Sequence, residues 1–248
     1  MAFTAKKAHW QFLGLVLAVL GLMLTAGTSG VNNWRLWYVD DLSVISSGVA
    51  WVGIWRACFY SHVLDTFEFC QSISITDSFI PPEIVAAQVL CTTAIPIGIA
   101  GNLIAGYAVR HVYFNVNRGH IRWAFVLAGA LHLLTATCSL VPVFWNMNSV
   151  LKNRTIDFPP EFHFPPAPYK QELGMGFIIG ICSSVLLIVS GLLFLSYRQP
   201  VKLQKPNVEA CDAEEKTQSI TNQGAITEEG ITREEGTENQ AFQAEEKV

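Results

Sequence analysis

Four stretches of this 248-residue chain contain no Asp, Glu, Lys or Arg: Trp10–Val31, Ile84–Val109, Trp123–Val143 and Gly174–Tyr197. They run for 22, 26, 21 and 24 residues, and about 20 residues of helix are enough to cross the hydrocarbon core of a bilayer. Lipid offers no partner for a free N–H or C=O, so runs of this kind span as helices. They explain why charged residues make up only 15% of the chain and hydrophobic ones 51%, when a soluble domain carries about 25% charged residues. The formal net charge of −4 is not spread evenly. Residues 198–248 hold 6 Lys/Arg against 11 Asp/Glu, which leaves 10 against 9 in the first 197. With no dense basic patch to neutralise phosphates, nucleic acid is not an expected partner.

The expected fold class is an α-helical membrane protein, a bundle of four transmembrane helices carrying a small extracellular antiparallel sheet. The segments are a cytoplasmic N-terminus at 1–9, spans at 10–31, 84–109, 123–143 and 174–197, outer loops at 32–83 and 144–173, a cytoplasmic loop at 110–122 and an acidic tail at 198–248. Orientation follows the Lys/Arg bias. Lys6, Lys7, Arg110, Arg118, Arg122, Arg198, Lys202 and Lys205 crowd one side, and Arg35, Arg56, Lys152, Arg154 and Lys170 are scattered over the longer loops of the other. The first span has a second reading as a signal peptide, because Lys6 and Lys7 precede its apolar centre and Ala26, Gly27 and Ser29 follow it.

Small residues at four-residue spacing, Gly176, Gly180 and Ser184 in the fourth span above all, predict close helix–helix seams. Pro96 is expected to kink the second span. His132 is the one ionisable side chain deep in a span, and such a residue is either a functional group or a polar tie to a neighbouring helix. No Asp, Glu, Lys or Arg lies in the spans to complete a relay, which favours the tie; Asn102 reads the same way.

The first outer loop is too long for a bare connector. Val44, Val49, Val52, Ile73 and Ile75, with Trp34, Trp37, Trp51 and Trp55, supply β-branched and large aromatic residues. Of six cysteines, Cys91, Cys138 and Cys182 lie in spans and Cys211 in the tail, so only Cys58 and Cys70 face the oxidising side. A disulfide between them closes a loop of about a dozen residues, worth roughly 3 kcal/mol in the chain-entropy description.

Trp34, then Gly53-Ile54-Trp55, then Cys58 and Cys70 resemble the first-loop signature of the claudin family, Trp, Gly-Leu-Trp, Cys and Cys, with Ile54 in place of Leu. Ala86-Ala87-Gln88 resembles the opening of that family's second span, where Arg is commoner than Gln. Asp157-Phe158-Pro159 is similar to the tip of its second outer loop, and Lys170-Gln171-Glu172-Leu173-Gly174 to the entry of its fourth span. The resemblance covers residues 10–197 and marks a divergent member. The cysteines are slightly further apart than usual, the second loop is longer and richer in proline, and the chain does not end in Tyr-Val.

The resemblance implies a left-handed four-helix bundle, plasma-membrane tight junctions, and polymerisation with itself and other claudins, in cis and trans, into a paracellular barrier or pore. It also puts Trp34 and Trp55 at the base of the sheet and leaves Trp37 and Trp51 peripheral. Related four-pass families, the peripheral myelin protein and the receptor-regulatory gamma subunits, share Gly-Leu-Trp and the cysteines. An auxiliary or trafficking subunit of a channel or receptor is therefore the alternative.

In the second loop, Phe158, Phe162 and Phe164 stand among Pro159, Pro160, Pro165, Pro166 and Pro168. These rings either meet a facing cell on a stiff loop or fold back on the sheet or the lipid headgroups. Asn153-Arg154-Thr155 is a glycosylation sequon on the expected outer side. Glu246-Lys247-Val248 offers a terminal carboxylate and an apolar last side chain to a PDZ scaffold, at the end of a tail whose composition reads as disordered. Asp40-Asp41 reads as a solvated turn. There is no Cys-x-x-Cys, no His-rich metal spacing, no Gly-rich phosphate loop and no nucleophile elbow. Enzyme activity, metal and cofactor are not expected.

Overall fold

The computed structural model describes residues 2–63, 67–114 and 120–197, with side chains from residue 9 onward. The acidic tail, including Glu246, Lys247 and Val248, lies outside the described residues. The elements in chain order are α1 (Ala2–Gly30), β1 (Arg35–Tyr38), β2 (Val49–Val52), β3 (Arg56–Tyr60), β4 (Glu68–Ser72), α2 (Pro82–Tyr113), α3 (Ile121–Leu151), a short 3₁₀ turn (Pro160–Phe162), β5 (Lys170–Leu173) and α4 (Met175–Leu195). All four helices are long and apolar enough to cross a membrane.

α1 and α3 are each flanked by α2 and α4, so the helices close into a bundle. At 1.5 Å per residue the 32-residue α2 is about 48 Å long and outruns the ~30 Å hydrocarbon core. α3, at 31 residues, does the same. Their excess turns form a platform on which the sheet stands. α2 opens on Pro82, whose missing N–H costs nothing in a first turn. It runs unbroken through Pro96, and α3 runs likewise through Pro142.

The seam in α4 is real but uses each small residue differently. A Cβ on Gly180 would come within 2.6 Å of Val143 Cγ2, and one on Gly176 within 2.8 Å of the Trp34 ring. Ser184 instead bonds its own helix at Gly180 O, and the neighbouring Ser183 joins three helices. It accepts from Thr25 of α1 and lies 3.5 Å from Ser139 of α3. His132 packs against Gly101 and Phe194. Neither of its ring nitrogens is bonded to a neighbouring helix, so the expected tie is not made, and Asn102 Oδ1 is likewise without a partner.

The sheet has five antiparallel strands in the order β4-β3-β2-β1-β5. Its fifth strand comes from the second outer loop, which makes one outer domain of both loops. β5 runs directly into α4. The N–H groups of Gly174 and Gly176 bond Trp34 O and Asn33 O, both at 2.8 Å, and carry the β1–β5 pairing into the helix start. Gly174 lies so close to the Asn33 backbone that no side chain fits.

Candidate functional site

Alternation splits the sheet into two faces. One carries Trp37, Ala50, Val52, Ala57 and Phe59, all with essentially no exposure, and packs with Ile45, Ile73, Ile84, Ile156 and Phe162 into the core of the outer domain. The three phenylalanines of the second loop join this core. Phe162 is buried, and Phe158 and Phe164 are half-buried against it. Trp37 stands edge-on to Phe158 at 5.3 Å and to Phe164 at 5.7 Å, in the range of favourable aromatic pairs. Of the two readings of these rings, the structure places them in the folded-back one. Trp37, expected at the periphery, is the centre of the cluster.

A second cluster joins the sheet to the bundle. Trp34 and Ile54 are buried with Ala87, Cys91, Val143, Val150 and Phe177, and Trp55 is only half-buried at the rim. Trp34 donates its indole N–H to Thr28 O at 2.9 Å and stands 5.6 Å from the Phe177 ring. Gly53 N donates to Arg56 O at 2.8 Å in the tight β2–β3 turn, and a Cβ on Gly53 would meet Asn32 Cα at 2.7 Å. Gln88 donates through Nε2 to Ile54 O at 2.7 Å and Ile73 O at 3.2 Å. The residue that departs from the family's usual Arg thus holds the signature turn by neutral bonds.

Sequence reasoning missed a buried polar knot between these clusters. Arg35 of β1 donates to Glu83 Oε1 at 3.3 Å and to Asn146 Oδ1 at 2.8 Å. Asn146 donates back to Glu83 O at 2.8 Å, and Ser149 donates to the Glu83 carboxylate. Arg35 and Glu83 are each 1% exposed. Burial pushes the Arg35 guanidinium down from its ordinary pKa and the Glu83 charge pulls it back up. Sheet, α2 and α3 are therefore tied by charge and hydrogen bonds where the platform meets the sheet.

The Cys58–Cys70 disulfide is formed, across a directly opposed pair of β3 and β4. Glu68 lies beside it, but both sulfurs are spent in the bond, so this trio is no donor set for a metal. The outward face carries Tyr38, Trp51, Arg56, Tyr60, Glu68, Lys170 and Glu172. Trp51 meets Tyr60 at 4.9 Å, and Tyr60 meets Phe67 at 4.8 Å. Glu172 accepts from Lys170 and from the Tyr38 hydroxyl, and those bonds hold its carboxyl below the usual range. At the end of the sheet away from the bundle, Leu42 is 58% and Tyr169 76% exposed. Asp40 and Asp41 lie exposed in the same loop as Leu42, with Asp41 Oδ1 accepting from Ser43 N. Asn153 and Thr155 are exposed just past α3.

The model of the family described as "PMP-22/EMP/MP20/Claudin tight junction" matches residues 16–196. The chain belongs to the claudin family. Claudin-3 of dog (Canis lupus familiaris) is 27% identical over 188 residues, covering 74% of this chain and 80% of that protein. Claudin-4 of cattle (Bos taurus) is 25% identical over 201 residues, 79% of this chain and 89% of its own length. Claudin-9 of mouse (Mus musculus) is 25% identical over 172 residues, 68% and 74% respectively. Four helices able to span, the five-stranded outer sheet and its disulfide are consistent with the claudin fold. The protein is a multi-pass claudin of the plasma membrane, at the tight junction.

Proposed function

We propose that this claudin polymerises side by side in the membrane, meets its counterpart on a facing cell, and forms a barrier between cells. The observation that carries the reading is the single sheet built from both loops. It is tied to the bundle by Trp34 and the Arg35–Glu83 knot. A rigid outer domain holds its contact surface in one orientation, which lowers the ordering cost of assembly. Lateral partners are further copies and other claudins. The contact across the gap falls to the exposed tip, Leu42 and Tyr169, and the inward rings Phe158, Phe162 and Phe164 support it from beneath.

Barrier is favoured over pore by the charge on the outward strand face. Arg56 and Lys170 there balance Glu68 and Glu172. A balanced strand face gives no field to select ions, whereas residues 30–80 as a whole hold five acids against two bases, a mild cation preference if that loop lined a pore. In this reading both termini are cytoplasmic, α1 is a retained span packed on α4 through Gly14 and Gly21, and the last three residues face a PDZ scaffold. Expression in an epithelial monolayer depleted of its own claudins tests the proposal. Electrical resistance should rise with no change in the sodium-to-chloride permeability ratio. A fall in resistance with a shifted ratio would mean a pore.

A further inference from the structure

We infer that Asn153 carries an N-linked glycan and that this glycan covers the open edge of β5, leaving β4 as the strand edge free for a neighbouring molecule. The inference goes beyond the barrier reading, and its first part does not depend on it. Asn153-Arg154-Thr155 satisfies the acceptor rule, with Arg in the middle position. The Cys58–Cys70 disulfide lies in the same sheet as β5, so this side of the protein folds in the oxidising lumen, where such glycans are attached. Trp145 of α3 is 44% exposed, as expected of a ring at the membrane interface, and the helix continues beyond it for six residues, about 9 Å of rise, to Leu151, with Asn153 in the turn that follows. Asn153 itself has φ +49°, a left-handed residue that stops the helix and turns its amide outward. Both Asn153 and Thr155 are exposed, and among the described residues neither side chain is hydrogen-bonded.

What the glycan would cover follows from its neighbours. Asn153 and the end of α3 face β5 across a shallow hollow of about 430 Å³, lined by Val150, Leu151, Gln171, Glu172 and Leu173. Gln171 Nε2 donates to Arg154 O at 3.0 Å and clips the sequon to the strand. Among the described strands β5 pairs only with β1; the end of α3 lies along its other side without strand pairing, and an edge left unpaired invites pairing with another chain wherever it is reached. A bulky hydrated glycan rooted beside the hollow blocks that pairing. In the attachment, Asn153 Nδ2 attacks C1 of the first sugar of a lipid-diphosphate-linked oligosaccharide. A C–N bond forms, the C–O bond to the diphosphate breaks, the lipid diphosphate departs, and the amide proton passes to a base.

The test uses the full chain expressed in mammalian cells. Digestion with peptide N-glycosidase should shift its mobility by one glycan. Asn153→Gln and Thr155→Ala should remove the shift, and Thr155→Ser should keep it. Coverage is read by Leu151→Cys on intact cells with an impermeant, polymer-bearing maleimide. Leu151 is 67% exposed at the hollow. Labelling should become severalfold faster when Asn153→Gln is added. No glycosidase shift overturns the inference outright. A shift with equal labelling rates overturns the edge cover, and neither result bears on whether the protein forms a barrier.

Discussion

Replacing Trp34 and Trp37 in turn by phenylalanine should separate two burials that look alike. Both side chains are at most 1% exposed, and Trp→Phe removes the same atoms from each, so the packing losses nearly cancel in the comparison. The indole N–H groups do not cancel. Trp34 gives its proton to Thr28 O at 2.9 Å, and losing that donor at the buried end of α1 costs about 1–3 kcal/mol. Trp37 Nε1 has no hydrogen-bond partner, so its loss removes a buried unsatisfied donor and recovers part of the packing loss. Trp34→Phe should therefore be less stable than Trp37→Phe by about 2 kcal/mol. That corresponds to roughly 4–8 °C in Tm for a chain of this size. Thermal unfolding of the detergent-solubilised proteins, followed by near-ultraviolet circular dichroism, reads the difference. Equal midpoints, or Trp37→Phe melting first, would refute the assignment of the Trp34–Thr28 bond as the tie between sheet and bundle. Trp37→Ala is a different matter. Emptying a fully buried Trp site typically costs about 3–5 kcal/mol, and the second loop loses its anchor at Phe158 and Phe164.

Cys58→Ser should be retained inside the cell, with Cys58→Ser/Cys70→Ser no worse; normal surface biotinylation of the single variant would count against a structural role for the disulfide. Arg35→Met strands the Glu83 carboxylate and should cost about 3–5 kcal/mol, whereas Arg35→Met/Glu83→Leu should recover much of the lost Tm, because a neutral, well-packed pair avoids the desolvation cost. A double variant as unstable as the single one would mean the knot acts by shape and not by charge. Leu42→Ser/Tyr169→Ser alters only exposed positions, so stability should move by no more than about 0.5 kcal/mol. Adhesion between transfected cells should nevertheless fall at unchanged surface level, and unaltered adhesion would remove the tip from the contact.

The spans are legible because lipid forbids charge over a fixed length, a constraint written residue by residue between Trp10 and Tyr197. The disulfide is legible because compartment, not geometry, singles out Cys58 and Cys70. The fifth strand is not. Lys170-Gln171-Glu172-Leu173 has neither β-branched residues nor an apolar alternation. Its strand form comes from pairing with β1, where Tyr38 stands opposite Lys170 and Arg35 opposite Leu173. Nothing local in the four residues announces a partner so distant in the chain.

The polar knot is hidden for a related reason. Arg35 and Glu83 each stand at the edge of an apolar stretch, where a charge ordinarily faces water, and only the packing of β1 on α2 and α3 buries them together. The phenylalanines of the second loop allow two readings because proline-rich, aromatic segments suit both a contact surface and a lid over a core. Ile156 and Phe162, buried with Trp37, decide for the core.

Freeze-fracture electron microscopy of junction-free fibroblasts expressing the full chain tests lateral polymerisation most directly. The account predicts continuous, branching strands at the contacts between expressing cells, lost in Trp34→Ala. Isolated intramembrane particles at normal surface level, with a channel or receptor co-purifying, would contradict it and assign the protein to the auxiliary-subunit class.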